Sequence, residues 1–104
     1  MLLTIKDRLI LLGTLANVQG NLTELRILRE LREALSFSEK EHKKLNIREE
    51  GGRILWKEGE PKEVEIGEVA KRVIVNKLKE LNAQGLLSDD HLGIADKFPE
   101  VEGA

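Results

Sequence analysis

The sequence predicts an α+β domain in which four to five helices pack with a small antiparallel β-hairpin or a three-strand meander. Two observations lead to this prediction. Apolar residues recur at spacings of three and four through most of the chain, which is the periodicity of amphipathic helices. Around Gly51-Gly52 the pattern changes to the alternation of half-buried strands on either side of a two-residue turn.

Length and composition favour one domain. The chain has 104 residues, of which 40% are apolar, and this is enough for one hydrophobic core. We expect residues 1–98 to form a single helical and hairpin domain. Residues 99–104, which follow the stop signal at Pro99, are expected to form a frayed C-terminal tail.

Capping residues predict where the helices begin and end. Thr4-x-x-Asp7 and Ser38-x-x-Glu41 have the spacing of capping boxes, in which two side chains satisfy free amides of the first turn. Gly85 is expected to end the fourth helix, with Leu86 folded back onto its last turn. The first of five predicted helices begins near residue 4. The other four are predicted over residues 22–35, 39–45, 68–84 and 89–98.

The first helix is apolar over more than half of its circumference. Its predicted inner face consists of Ile5, Leu9, Leu12 and Ala16. Ile10 and Leu11 widen the apolar surface beyond this face, so the helix is expected to lie at the centre of the core or in an interface. The second alternative predicts self-association, because a chain this short has little material to cover such a helix.

The hairpin is predicted from residues 47–50 and 53–57, with Glu50 opposite Arg53 across the glycine turn. A third strand at about residues 62–66 would extend it into a meander, because Val64 and Ile66 alternate there with acidic residues.

Charge and cysteine content limit the function classes. The chain has 17 basic and 19 acidic residues and a net charge of −2, whereas duplex-binding proteins usually have a basic excess. The absence of cysteine excludes disulfides and thiolate sites and is typical of a cytoplasmic protein. No signal peptide and no membrane-length apolar run is expected. The high charge content also favours a thermophilic source.

No pattern of residues predicts catalysis or metal binding. Neither His42 nor His91 has a partner ligand four residues further along the chain, and Asp89-Asp90 are best explained as acidic residues at a helix start. No phosphate-binding or nucleophile motif occurs. We therefore expect a protein that is not an enzyme and that holds no metal and no cofactor.

The candidate contacts for a ligand or partner are Arg48, Arg53, Trp56 and Lys57. Trp56 is the one large aromatic residue in a strand, and the cationic neighbours suit an anionic ligand or a partner interface. In the structural alternative, Trp56 covers the small core beneath the hairpin. A DNA-binding alternative arises from residues 65–87, whose end is similar to a winged-helix recognition helix. That motif needs a turn between two helices, and one continuous helix fits the segment better.

Three segments of the sequence resemble small phage and prophage proteins of unassigned function. They are KDRLILLG (6–13), LREALSFSEKEHKKLNIREEGGRILW (31–56) and EIGEVAKRVIVNKLKELNAQGLLSDDHLGIADKF (65–98). The resemblance implies a viral or prophage origin and a role in binding. The resulting hypothesis is a non-enzymatic, phage-derived binding protein that inhibits host defence by acting on a host protein or a small anionic signal. The alternatives are a DNA-binding transcription regulator with winged-helix-like elements and a virion assembly component.

Overall fold

The computed structural model describes residues 1–103, and over this range the chain forms five α-helices and two small antiparallel sheets. The predicted α+β class is therefore confirmed. The helices are α1 (Ile5–Leu15), α2 (Leu22–Leu35), α3 (Glu39–Leu45), α4 (Glu68–Ala83) and α5 (Leu92–Lys97). The strands are β1 (Leu2–Leu3), β2 (Arg48–Glu50), β3 (Arg53–Leu55) and β4 (Lys62–Glu63). Two 3₁₀ turns, Asp89–His91 and Pro99–Val101, flank α5. None of the described helices is long and apolar enough to cross a membrane.

The predicted capping boxes are present. The Thr4 hydroxyl accepts the Asp7 amide at 3.1 Å, and the Ser38 hydroxyl accepts the Glu41 amide at the same distance. In both boxes the acidic side chain accepts the amide of the capping residue in return. These helix starts depend only on residues three apart in the chain, which is why the sequence predicts them well.

The end of α4 follows the prediction. Gly85 has a φ of +68°, and the Leu86 amide folds back to donate to the carbonyl of Leu81 in the last turn at 2.9 Å, as expected for a glycine-terminated helix. Leu86 stays 62% exposed, and Leu87 packs against the core.

The core lies where α1, α2 and α4 meet. It is formed by Leu11 and Leu15, by Leu28, Leu31 and Leu35, and by Ala70, Ile74, Val75 and Leu78, with Ile94 and Phe98 at one end. The predicted inner face of α1 is wrong, since Ala16 is exposed and Leu9 and Leu12 are half-buried. Only Lys6 and Gly13 of α1 are exposed, so the rest of the chain covers most of α1. This removes one reason for predicting self-association, which itself stays a prediction.

The predicted three-strand meander is wrong. β2 and β3 form a hairpin by themselves, and β4 pairs with β1 at the beginning of the chain, with Leu2 opposite Glu63. Close packing of Gly59 explains why the chain leaves the hairpin. A Cβ atom at Gly59 would lie 2.6 Å from the Leu45 side chain, so this loop passes directly over the end of α3.

The structured part of the chain extends beyond the predicted boundary at residue 98. Pro99–Val101 form a 3₁₀ turn, and Val101 is 5% exposed and packs in the core. The prediction of a frayed tail is therefore wrong for these three residues, because a buried valine attaches them to α4. Ala104, the last residue of the predicted tail, lies outside the described residues.

A buried arginine joins three helices. Arg8 of α1 is 1% exposed, and its guanidinium donates to the carbonyls of Leu35 at 3.0 Å and Ser36 at 2.7 Å. It also pairs with the Glu41 carboxylate of α3 at 2.9 Å and lies 3.9 Å from the centroid of the Phe37 ring. Burial of a guanidinium costs several kcal/mol unless its donors are satisfied, and here the end of α2 supplies acceptors that no helix can satisfy internally.

Asp7 makes the corresponding connection to α5. Its carboxylate accepts from the Lys97 ammonium, which also donates to the carbonyl of Leu2 at 2.8 Å. Burial acts to raise the pKa of Asp7, but the hydrogen bonds from Lys97 and Thr4 outweigh it and hold the pKa below its usual value. The hydrogen bond from Arg8 likewise lowers the pKa of Glu41.

Replacement of the buried arginine tests its role. We expect Arg8→Met to lower the free energy of unfolding by about 3 kcal/mol, because two helix-end carbonyls and the Glu41 carboxylate lose their partner. Arg29→Met, on the exposed face of α2, is the matched control and should change it by less than about 0.5 kcal/mol. Urea unfolding followed by circular dichroism measures both. A decrease of less than about 1 kcal/mol in the free energy of unfolding of Arg8→Met would show that the stability of the fold does not depend on this arginine.

The lowered carboxyl pKa values predict acid sensitivity. A carboxyl whose pKa is lower in the folded state stabilises it fully above the unfolded value of about 4, and this contribution is lost as the pH falls through the folded value. The free energy of unfolding should therefore decrease on acidification below about pH 4.5. Asp7→Asn and Glu41→Gln should each make this pH dependence shallower, whereas the surface substitution Glu33→Gln should leave it unchanged. An identical slope in all four proteins would contradict the assignment.

Candidate functional site

The β2–β3 hairpin forms one wall of the candidate site. Gly51 and Gly52 both have positive φ angles, +59° and +78°, which match the two-residue turn that the sequence predicts. Glu50 lies opposite Arg53, also as predicted, and the ladder continues to Arg48 opposite Leu55. The register of the hairpin is thus fixed by its turn.

The hairpin is attached to α3 immediately after β3. The Lys57 amide donates to the carbonyl of Leu45, the last residue of α3, at 2.6 Å. The left-handed Asn46 (φ 49°) ends α3 and turns the chain into β2. The position of the hairpin relative to α1 therefore depends on where α3 is held.

A groove of about 560 Å³ lies between the hairpin and α1. This volume falls in the range of ligand-binding sites. The apolar lining residues are Leu9, Ile10, Ile54, Leu55 and Trp56. The other lining residues are Lys6, Gly52, Arg53, Glu58 and Asp90. Ile54 is 51% exposed, which leaves an aliphatic side chain available at the surface of the groove.

The groove follows the edge of β3 rather than one face of the hairpin. Its lining includes five consecutive residues, Gly52 to Trp56. A groove over one face would be lined by alternate residues, because successive side chains of a strand point to opposite faces. No residue of β2 lines it within residues 1–103. This lining is the one expected of a groove along the side of β3 that faces away from β2.

The charges around the groove are balanced. Lys6 forms an ion pair with Asp90 at 3.0 Å, and this hydrogen bond holds the pKa of Asp90 below its usual value. Arg53 lies near enough to Asp90 to contribute in the same direction. Among the residues that the structure describes, neither Arg53 nor Glu58 forms an ion pair. These two side chains are the charges that a bound molecule could meet without breaking an existing pair.

The structure brings together two of the four sequence-predicted contact residues. Arg53 and Trp56 line the groove, whereas Arg48 and Lys57 do not. Arg48 lies on β2, where its side chain bonds the carbonyl of Asn46 at 3.0 Å and pairs with Glu50. The position of Arg48 follows from the hairpin geometry, since no residue of β2 lines the groove within residues 1–103.

Sequence analysis missed the opposite wall of the groove. Lys6, Leu9 and Ile10 come from α1, and Asp90 comes from the 3₁₀ turn before α5. The one signal was the broad apolar surface of the first helix, which included Leu9 and Ile10. Nothing in local spacing indicates that this surface meets a strand more than 40 residues away.

The histidines have local structural contacts. His91 Nδ1 accepts the Ser88 amide at 3.1 Å and so caps the 3₁₀ turn, and the ring of His42 lies edge-on to Phe37 with centroids 6.1 Å apart. Over residues 1–103, no three histidine, aspartate or glutamate side chains are close enough together to hold a metal ion.

The groups in the groove are suited to binding. They comprise an aliphatic floor, one indole ring, one cation and one anion without partners, and the main chain of a strand edge. Comparisons with protein-family models, with curated proteins and with solved structures find no significant match to this chain.

Proposed function

We propose that this protein is a non-enzymatic binding protein whose groove between α1 and β3 holds a segment of a partner protein. If the chain is phage-derived, as its sequence resemblance implies, the partner is a protein of the host cytoplasm and the binding inhibits host defence. The observation that supports this proposal is the groove itself, in which apolar side chains and a strand edge lie side by side. Protein segments offer both apolar side chains and main-chain hydrogen-bonding groups, so they complement such a surface.

A small anionic signal is the second candidate, because Arg53 and Trp56 line a groove of suitable volume. The charges favour a protein segment. The two basic lining residues, Lys6 and Arg53, are balanced by two acidic ones, Glu58 and Asp90, and Lys6 is already paired. A site for a multiply charged anion needs a cationic excess, and Arg48 and Lys57, which would supply it, are not in the lining.

DNA binding stays an alternative, but no element of the described residues supports it. α4 is one continuous helix from Glu68 to Ala83, so the turn that a helix-turn-helix motif requires does not occur in the segment with the winged-helix likeness. No feature of the described residues favours a virion assembly component. Self-association stays a prediction from the sequence.

A selection experiment with a matched pair of variants tests the proposal. A library of random dodecapeptides is selected on the full chain, and the enriched synthetic peptide is titrated while the fluorescence of Trp56, the only tryptophan, is followed. Ile54→Asp should weaken binding about 30-fold, because it places a carboxylate in the apolar part of the groove at a cost of about 2 kcal/mol. Leu22→Asp is the control, since Leu22 is a similarly exposed aliphatic residue (69%) outside the groove lining.

The proposal is wrong if no peptide is enriched, or if Ile54→Asp binds the enriched peptide as tightly as Leu22→Asp does. Displacement of the peptide by inorganic phosphate or ATP at micromolar concentration would favour the small anionic ligand instead.

A further inference from the structure

We infer that the partner segment binds as an additional β-strand along the free edge of β3, by main-chain hydrogen bonds to Ile54. This inference rests on the proposed function and specifies how the groove recognises its occupant. Strand addition to an exposed sheet edge is an established mode of peptide recognition, in which main-chain bonds provide affinity and side-chain pockets provide specificity.

The register of the hairpin determines which main-chain groups are free. In a hairpin with a two-residue turn, the residues that flank the turn exchange hydrogen bonds, so Glu50 and Arg53 form a hydrogen-bonded pair. The next pair, Glu49 and Ile54, is then a non-hydrogen-bonded pair. The N–H and C=O groups of Ile54 therefore point away from β2.

The outward groups of Ile54 face the groove and have no partner from the fold. The groove runs along the edge of β3 that lies away from β2, as the consecutive lining residues Gly52 to Trp56 show. No loop, cap or turn hydrogen bond within residues 1–103 reaches the main chain of Ile54. Free strand edges are normally covered or blocked by the fold, and this one opens into a groove with an apolar wall.

The two unpaired charges describe the segment that would fit. Arg53 lies at the turn end of the groove and Glu58 follows the far end of β3, so five residue steps separate them, or about 16 Å of extended chain. Ile54 and Trp56 lie between these charges. The segment would have an acidic side chain near Arg53, apolar side chains in its middle and a basic side chain near Glu58.

A second copy of this chain fits the edge less well. If two β3 edges paired with Leu55 opposite itself, Arg53 would lie opposite Lys57 of the other copy. If Ile54 lay opposite itself, Arg53 would face Leu55 and its charge would have no partner. Neither two-fold register gives Arg53 an acidic neighbour, so a different protein with an acidic residue is the better occupant.

The test compares substitutions that keep or remove the main-chain N–H group. Ile54→Ala shortens the side chain and keeps the N–H, whereas Ile54→Pro replaces the side chain by a ring, restricts φ and removes the N–H. Glu49→Pro removes the corresponding outward N–H from β2, on the edge away from the groove, and controls for the effect of proline on the hairpin. Binding of the enriched dodecapeptide is measured by Trp56 fluorescence for all three.

We expect Ile54→Pro to bind at least about tenfold more weakly than Ile54→Ala, because one main-chain hydrogen bond is lost and the peptide carbonyl that it would have met is left without a donor. Glu49→Pro should bind as the unsubstituted chain does. The inference is overturned if Ile54→Pro binds within twofold of Ile54→Ala. If Ile54→Asp still weakens binding about 30-fold in that case, the proposed function stands and only strand addition fails.

Hydrogen exchange on the unsubstituted chain gives a second measurement that needs no proline. Saturation with the dodecapeptide should slow the exchange of the Ile54 amide at least about tenfold, whereas the Glu49 amide on the opposite edge should exchange at its original rate. Strand addition would be excluded if the exchange rate of the Ile54 amide did not change in the complex although Ile54→Asp weakened binding of the same peptide.

Discussion

The buried guanidinium of Arg8 is the interaction on which the arrangement of the helices depends. The last carbonyls of α2 have no partners within that helix, and only three residues connect α2 to α3. Arg8 satisfies Leu35 and Ser36 and at the same time pairs with Glu41 of α3. One side chain of α1 therefore fixes both the end of α2 and the position of α3. No buried side-chain nitrogen or oxygen of the described residues is left without a hydrogen bond, so the cost of burying this charge is compensated.

This arrangement also positions the groove. Three consecutive residues of α1 bind different parts of the fold: Lys6 the 3₁₀ turn before α5, Asp7 the side chain of Lys97, and Arg8 the junction of α2 and α3. The Lys6 pair is exposed and contributes little to stability, whereas the other two are partly or fully buried. α3 in turn holds the hairpin through the hydrogen bond from the Lys57 amide. The positions of both walls of the groove therefore depend on contacts made by the same end of α1.

The limits of the sequence prediction follow from the range of the interactions. The starts of α1 to α4, the glycine turn and the bounds of α2 depend on residues within a few positions of one another, and the sequence predicts all of them. The fifth helix is predicted from residue 89, but Asp89–His91 form a 3₁₀ turn and α5 begins at Leu92. The face of α1 is not predicted, because α1 is buried nearly all round and its periodicity does not select one side. The pairing of β4 with β1, the burial of Val101 and the wall formed by Leu9 all join segments far apart in the chain. Of the predicted contact residues, only Arg53 and Trp56 line the groove.

The central claim is that the function of this protein is exercised along the groove beside β3. The most direct test maps the backbone amide chemical shifts of the ¹⁵N-labelled chain during titration with a groove-selected peptide. The account predicts that the large shift changes fall on Gly52–Trp56 and on the facing turn of α1 around Leu9, and that α4 and the outer face of α2 do not respond. Shift changes centred on α4, or spread without a maximum at β3, would contradict it.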